Sequence, residues 1–261
     1  MEGRIILPKS HLKVGDVKVR IIIGENYKDM SRVAADMMAS QIILKPESVI
    51  GLATGGTPIG FYKELVNLHN QGKFSFKQVK TFNLDEYYGL DKNNLQSYHY
   101  YMVENLFKHI DIGLQNINIP DGTAKDIEAE CKSYETKIKN AGGIDMQLLG
   151  IGINGHIGFN EPDIKFEAIT HLVNLDEETI EANSRFFTSI EEVPRSAISM
   201  GIKTIMHAKK IILLASGSEK AKVIERMLNG PITPDLPASI LQLHPDVTLI
   251  VDKEAGELIS E

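Results

Sequence analysis

Short apolar runs alternate with segments of helical period along this chain. Aliphatic and β-branched residues dominate 17–23, 48–53, 79–84, 144–150, 210–215 and 246–251. Such runs, bounded by turn residues and lacking polar alternation, suit strands buried on both faces. Between them lie helical patterns. Residues 58–70 place Ile59, Tyr62, Leu65, Val66 and Leu68 roughly on one face, and residues 124–140 and 219–228 behave similarly. Alternating strands and helices predict an α/β fold with a mostly parallel central sheet and helices on both faces. No repeat, low-complexity tract or linker interrupts the pattern, so one domain is expected over residues 1–261.

Composition narrows the classes. The 261 residues are 43% hydrophobic, enough for one sizeable core. A net charge of −7 disfavours nucleic acid, whose phosphate backbone is bound through an excess of Lys and Arg. A small phosphorylated ligand needs only one local positive site. The single cysteine, Cys131, permits neither an internal disulfide nor a CxxC metal or redox motif, and its polar helical surroundings suggest an inert thiol. No apolar run approaches a membrane span, and the run near Ile5 is too short for a secretory signal, so the expected compartment is the cytoplasm.

Candidate chemistry clusters just beyond the predicted strands, where open α/β sheets bind ligands. Thr54-Gly55-Gly56-Thr57-Pro58 follows one strand and opens a helix, with Thr57 suited to the N-cap and Pro58 to the first helical position. Its glycines let an anion approach free backbone N–H groups, a plausible phosphate cradle. It is not a nucleotide P-loop, because Phe61 stands where that motif needs Lys. Ser216-Gly-Ser-Glu-Lys220 repeats the arrangement, with Lys220 at a helix start where an anion would offset its conflict with the dipole.

The run Gly150-Ile-Gly152-Ile-Asn154-Gly155-His156-Ile-Gly158-Phe-Asn160-Glu161-Pro162 formally contains a dinucleotide fingerprint. Gly158 and Pro162 forbid the helix that fingerprint must open, so a nicotinamide or flavin is not expected. The run reads instead as a loop presenting Asn154, His156 and Glu161, a carboxylate-oriented imidazole suited to moving protons near neutral pH. One His with one Glu is too few ligands for zinc. After the strand at 79–84 come Asp85 and Glu86; strand alternation points them in different directions, so one should face the site. Each feature alone has an ordinary structural alternative: a tight turn, a solvated lysine or a capping acid.

Together these motifs resemble the glucosamine-6-phosphate deaminase family, the aldose–ketose isomerases that release ammonia. The resemblance spans most of the chain through Thr54-Gly-Gly-Thr-Pro58, Thr81-Phe-Asn-Leu-Asp-Glu-Tyr87, Gly152 to Pro162, Asn183-Ser-Arg-Phe-Phe187 and Gly217-Ser-Glu-Lys220. It implies a single Rossmann-like domain, no cofactor and no metal. It implies sugar-phosphate binding by Thr54, Gly55, Gly56, Thr57, Arg185 and Lys220, proton abstraction by Asp85, and ring opening by Asn154, His156 and Glu161. It also implies an active-site lid at about 163–190, and either a monomer or a homo-oligomer.

Two departures matter. Some members carry Asp where this chain has Asn154, which leaves more of the orientation of His156 to Glu161. Allosterically activated hexameric members carry Arg and Lys where this chain has His171 and Val173, so that activation is expected to be missing. The alternatives are a 6-phosphogluconolactonase-type hydrolase, which needs no C2 base, and a deaminase for galactosamine 6-phosphate, which differs only at C4. A sugar-phosphate-sensing regulator would need a DNA-binding module, for which this acidic chain has no room before residue 17.

Overall fold

The computed structural model describes residues 19–185 and 187–259. The reading of the chain start, the first two positions of the strand expected at 17–23, and Phe186 lie outside the described residues. The first half runs β1 (Arg20–Gly24), α1 (Tyr27–Leu44), β2 (Val49–Leu52), α2 (Ile59–Asn70), β3 (Lys80–Asn83), β4 (Asp85–Tyr87), α3 (Tyr98–Asn105) and β5 (Ile117–Asn118). The second half runs α4 (Ile127–Asn140), β6 (Met146–Gly150), β7 (His171–Asn174), α5 (Glu177–Ser184), β8 (Ser196–Ser199), α6 (Ile202–Met206), β9 (Ile211–Ala215), α7 (Ala221–Asn229) and β10 (Val247–Asp252). Among the described residues, no helix is long and apolar enough to cross a membrane.

Seven strands form one sheet in the order β1-β10-β9-β6-β2-β3-β5, every neighbouring pair parallel. All six expected strands are in it. β2, β9 and β10 are buried at every position, as their unbroken apolar runs required. Gly51 in β2 has a steric reason: a Cβ there would sit 1.9 Å from Oε1 of Gln147, whose side chain crosses the sheet at that point.

A second, three-stranded antiparallel sheet, β4-β8-β7, was not expected. β4 is only Asp85–Tyr87, and β7 is half-exposed, too short and too polar to stand out as strands. They exist because β8 pairs with both. A small core of Tyr87, Phe159, Leu175, Ile180, Val193 and Ala197 packs beside this sheet, separate from the main core.

The helix expected at 58–70 begins one residue later, and the Thr57 cap is not formed. Pro58 is the N-cap, in helical conformation with no side-chain cap bond. The capping comes from Tyr27 on α1, whose hydroxyl accepts the Gly60 N–H at 2.7 Å and donates to the Thr57 carbonyl at 3.0 Å. The α4 helix starts at Ile127 rather than 124, because Asp126 accepts the Ala129 N–H and sets the N-cap there. Lys220 ends a short 3₁₀ turn, Ser218–Lys220, and is the N-cap of α7.

Candidate active site

β2, β3, β6 and β9 all end at the same edge of the parallel sheet, and the loops beyond them converge on a cavity of about 180 Å³. Thr54, Gly55, Gly56, Thr57, Asp85, Asn154, His156, Arg185 and Lys220 all line it. Glu161 alone among the expected site residues does not; it stands behind His156. A larger cleft of about 1610 Å³ runs along β1 and α1, but its charges are surface groups such as Arg32, paired with Asp29 and Asp36. The smaller cavity holds the convergent acid–base groups that a ligand site requires.

The 152–161 loop is built around its imidazole. His156 Nδ1 lies 3.0 Å from Glu161 Oε2, and Asn154 Nδ2 donates to the same oxygen at 2.8 Å. Asn154 Oδ1 also accepts the His156 N–H at 3.2 Å. With Nδ1 engaged, Nε2 is the ring nitrogen left for a ligand. Burial pushes the Glu161 carboxyl up, but hydrogen bonds and charge from His156, with Thr179 and Asn154, outweigh it and hold its pKa below the usual value. Gly152 leaves room for the ring, since a Cβ would sit 2.5 Å from His156 Cε1. Gly155 has φ +94, and a Cβ there would meet Leu236 at 2.2 Å. Gly155→Ala is therefore expected to lower stability by about 1–3 kcal/mol, measurable by urea denaturation.

Asp85 and Glu86 face opposite ways, as the alternation required. Glu86 turns away from the cavity and accepts the backbone N–H groups of Tyr87, Tyr98 and His99 at 2.8–2.9 Å, which holds the start of α3. Burial raises its carboxyl to about 7 against those hydrogen bonds. Asp85 lines the cavity at 5% exposure. Burial first, then the neighbouring Glu86 charge, push its carboxyl up to about 8. Gly158, at φ +60, brings bare backbone to its side: a Cβ there would lie 3.6 Å from Asp85 Oδ2.

At the glycine turn, Arg185 Nη2 lies 3.7 Å from where a Gly56 Cβ would project. Burial pulls the Lys220 pKa below its usual value; the Glu219 charge opposes this and the nearby Arg185 charge adds to it. Two cations beside a glycine turn at a helix start make a site for a dianion such as a phosphate monoester. Among the described residues no group of three His, Cys, Asp or Glu is placed to hold a metal.

Among the polar lining residues, Tyr98, Glu178 and Thr179 were not singled out in the sequence, and Asn183 entered only as part of a motif. Tyr98 stacks on Phe159 at 5.9 Å and 13° and packs on Tyr87 at 4.7 Å. No linear motif marks it. The last three share a face of α5, and their spacing of 178, 179 and 183 was the available signal.

A family model for glucosamine-6-phosphate isomerases and 6-phosphogluconolactonase matches residues 25–250. The chain belongs to this family. Within the glucosamine-6-phosphate isomerase/6-phosphogluconolactonase family, it is 65% identical over 238 residues to a glucosamine-6-phosphate deaminase of Clostridium botulinum (strain Langeland / NCTC 10281 / Type F), covering 91% of this chain and 98% of that one. It is 64% identical over 241 residues to the namesake of Clostridium acetobutylicum, covering 92% and 100%. A solved monomeric glucosamine-6-phosphate deaminase superposes with a TM-score of 0.90 at 48% identity, over 92% of this chain and 100% of that one. The 6-phosphogluconolactonase of Trypanosoma brucei, at 20% identity and a TM-score of 0.74, shares the fold over 94% of this chain and 100% of its own.

Proposed function

We propose that this protein converts glucosamine 6-phosphate into fructose 6-phosphate and ammonia, in the cytoplasm and without a cofactor. The observation that carries the reading is the presence of two separate proton-transfer stations on one cavity of about 180 Å³: buried Asp85, and His156 hydrogen-bonded to Glu161. Gly55, Gly56 and Thr57 with Arg185 and Lys220 hold the phosphate, and Thr54 lines the same wall. This anchors the sugar remotely from the reacting carbons.

The pyranose opens first. His156 relays the O1 proton to O5, with Glu161 and Asn154 holding the ring in place. Asp85 then takes the proton from C2, giving an enolamine, and reprotonation at C1 leaves an imine at C2. Water adds to that imine and ammonia leaves. Each positioned acid–base step contributes about 10²–10⁴-fold. The segment 163–190 carries α5 against the cavity and serves as its lid.

Ammonia release from glucosamine 6-phosphate and galactosamine 6-phosphate, set against hydrolysis of 6-phosphogluconolactone, tests the reading. Release from the glucosamine substrate is expected to dominate. Lactone hydrolysis without ammonia release would overturn it. With His171 and Val173 in place of basic residues, saturation is expected to be hyperbolic, with a Hill coefficient of about 1. Adding N-acetylglucosamine 6-phosphate should leave the curve unchanged; sigmoidal kinetics abolished by that sugar would contradict this.

A further inference from the structure

α5 reaches both halves of the site. Its C-cap is Arg185, beside the Gly56 turn. Six residues earlier, roughly 9 Å along a helix at 1.5 Å per residue, Thr179 is buried against the imidazole station. Thr179 Oγ1 lies 3.5 Å from His156 Nδ1, and the Thr179 hydroxyl is among the groups that hold the Glu161 carboxyl pKa below its usual value. The N-cap residue Asp176 is near enough to feel both charges: its carboxyl pKa is raised by burial and by Glu161, and lowered by His156. Ile180, on the next position of α5, packs in the small core with Tyr87 and Phe159, so a shift of the helix moves as one unit with that core. A helix held this way transmits displacement from end to end rather than absorbing it.

We propose that Thr179 is a positioning residue that couples phosphate capture at Arg185 to the orientation of the His156–Glu161 pair. When a phosphate engages Arg185, α5 settles, and the Thr179 hydroxyl brings Glu161 and His156 into proton-relay geometry. An occupant lacking phosphate leaves the pair less well set. The site thereby favours ring opening of phosphorylated sugars through kcat as well as through binding. This rests on the roles of Arg185 and His156 given above.

The test uses Thr179→Val, which keeps the shape and removes the hydroxyl, and Thr179→Ser, which keeps the hydroxyl. Imidazole ¹⁵N shifts of His156 are recorded at fixed pH with and without inorganic phosphate. Wild type is expected to show a phosphate-induced change, Thr179→Val less than half of it, and Thr179→Ser most of it. Thr179→Val should also lose about 10-fold in kcat with KM within about 2-fold of wild type. Thr179→Ala, well tolerated in a helix, gives the same reading if the valine variant does not fold. An absent shift in wild type, an equal shift in Thr179→Val, or a serine variant as impaired as the valine overturns the proposal. A wild type that releases no ammonia overturns the proposed function instead and leaves the ¹⁵N result standing.

Discussion

Asp85→Asn is expected to lower kcat for ammonia release by about 10³-fold while KM changes little. Asn keeps the shape of the side chain and removes the base. The proposed phosphate site at Arg185 and Lys220 keeps its residues in this variant, so the loss should fall on the chemical step. With deuterium at C2, the residual reaction should show a full primary isotope effect, because proton abstraction becomes the slow step. Full activity in this variant would remove Asp85 from the mechanism.

The environment of Asp85 adds a pH signature. Burial and the Glu86 charge push its carboxyl up to about 8, so most free enzyme holds it protonated at neutral pH. The kcat/KM profile should climb about tenfold per pH unit and flatten near that value. Glu86→Gln removes the nearby charge and keeps one amide oxygen for the Tyr87 and Tyr98 N–H groups while giving up the His99 bond, so the limb should move to lower pH. Stability follows with a definite sign. A carboxyl raised from 3.8 to about 8 contributes stability fully below 3.8, and that contribution is lost as pH rises through about 8. Asp85→Asn carries no such loss, so its Tm should exceed that of wild type at about pH 9. An activity deficit paired with a stability gain is what a strained, buried base predicts.

Six of the main sheet's seven strands were legible because they are short apolar runs that need no partner to be recognised; the two-residue β5, Ile117–Asn118, was not, since it exists only by pairing with β3. The antiparallel sheet was not, since Asp85–Tyr87 and His171–Asn174 become strands only through β8. The same distinction separates the site residues. Thr54, Asp85, His156 and Lys220 follow strands directly, and strand ends of a parallel sheet share an edge. Tyr98 and Thr179 arrive on helices whose docking depends on Glu86 and on the small core. The failed Thr57 cap has the same origin: its substitute, Tyr27, comes from α1, an element not singled out because its buried face is made largely of Ala and Met. Local chemistry was readable wherever the partner was also local.

His156→Gln is expected to lower kcat on the cyclic substrate by about 10²-fold. Gln can still donate to Glu161 Oε2, where Nδ1 now sits at 3.0 Å, so the loop should persist. It cannot exchange a proton near neutral pH, and ring opening loses its relay. The C2 isotope effect distinguishes this from damage at Asp85. Ring opening precedes carbon–proton cleavage, so slowing it masks the later step and drives the observed effect toward unity. An analogue without the O4 and O5 hydroxyls cannot cyclise and has no ring to open; on it the variant should lose far less against wild type. Because Asn154 supplies no charge, the carboxylate hydrogen-bonded to His156 Nδ1 is that of Glu161, itself fixed by Asn154 Nδ2 at 2.8 Å. Glu161→Gln should therefore reproduce the His156→Gln pattern, with a masked isotope effect and spared open-chain turnover. An equal loss on ring and open-chain substrates in both variants would place the pair at the carbon chemistry and leave ring opening to another group.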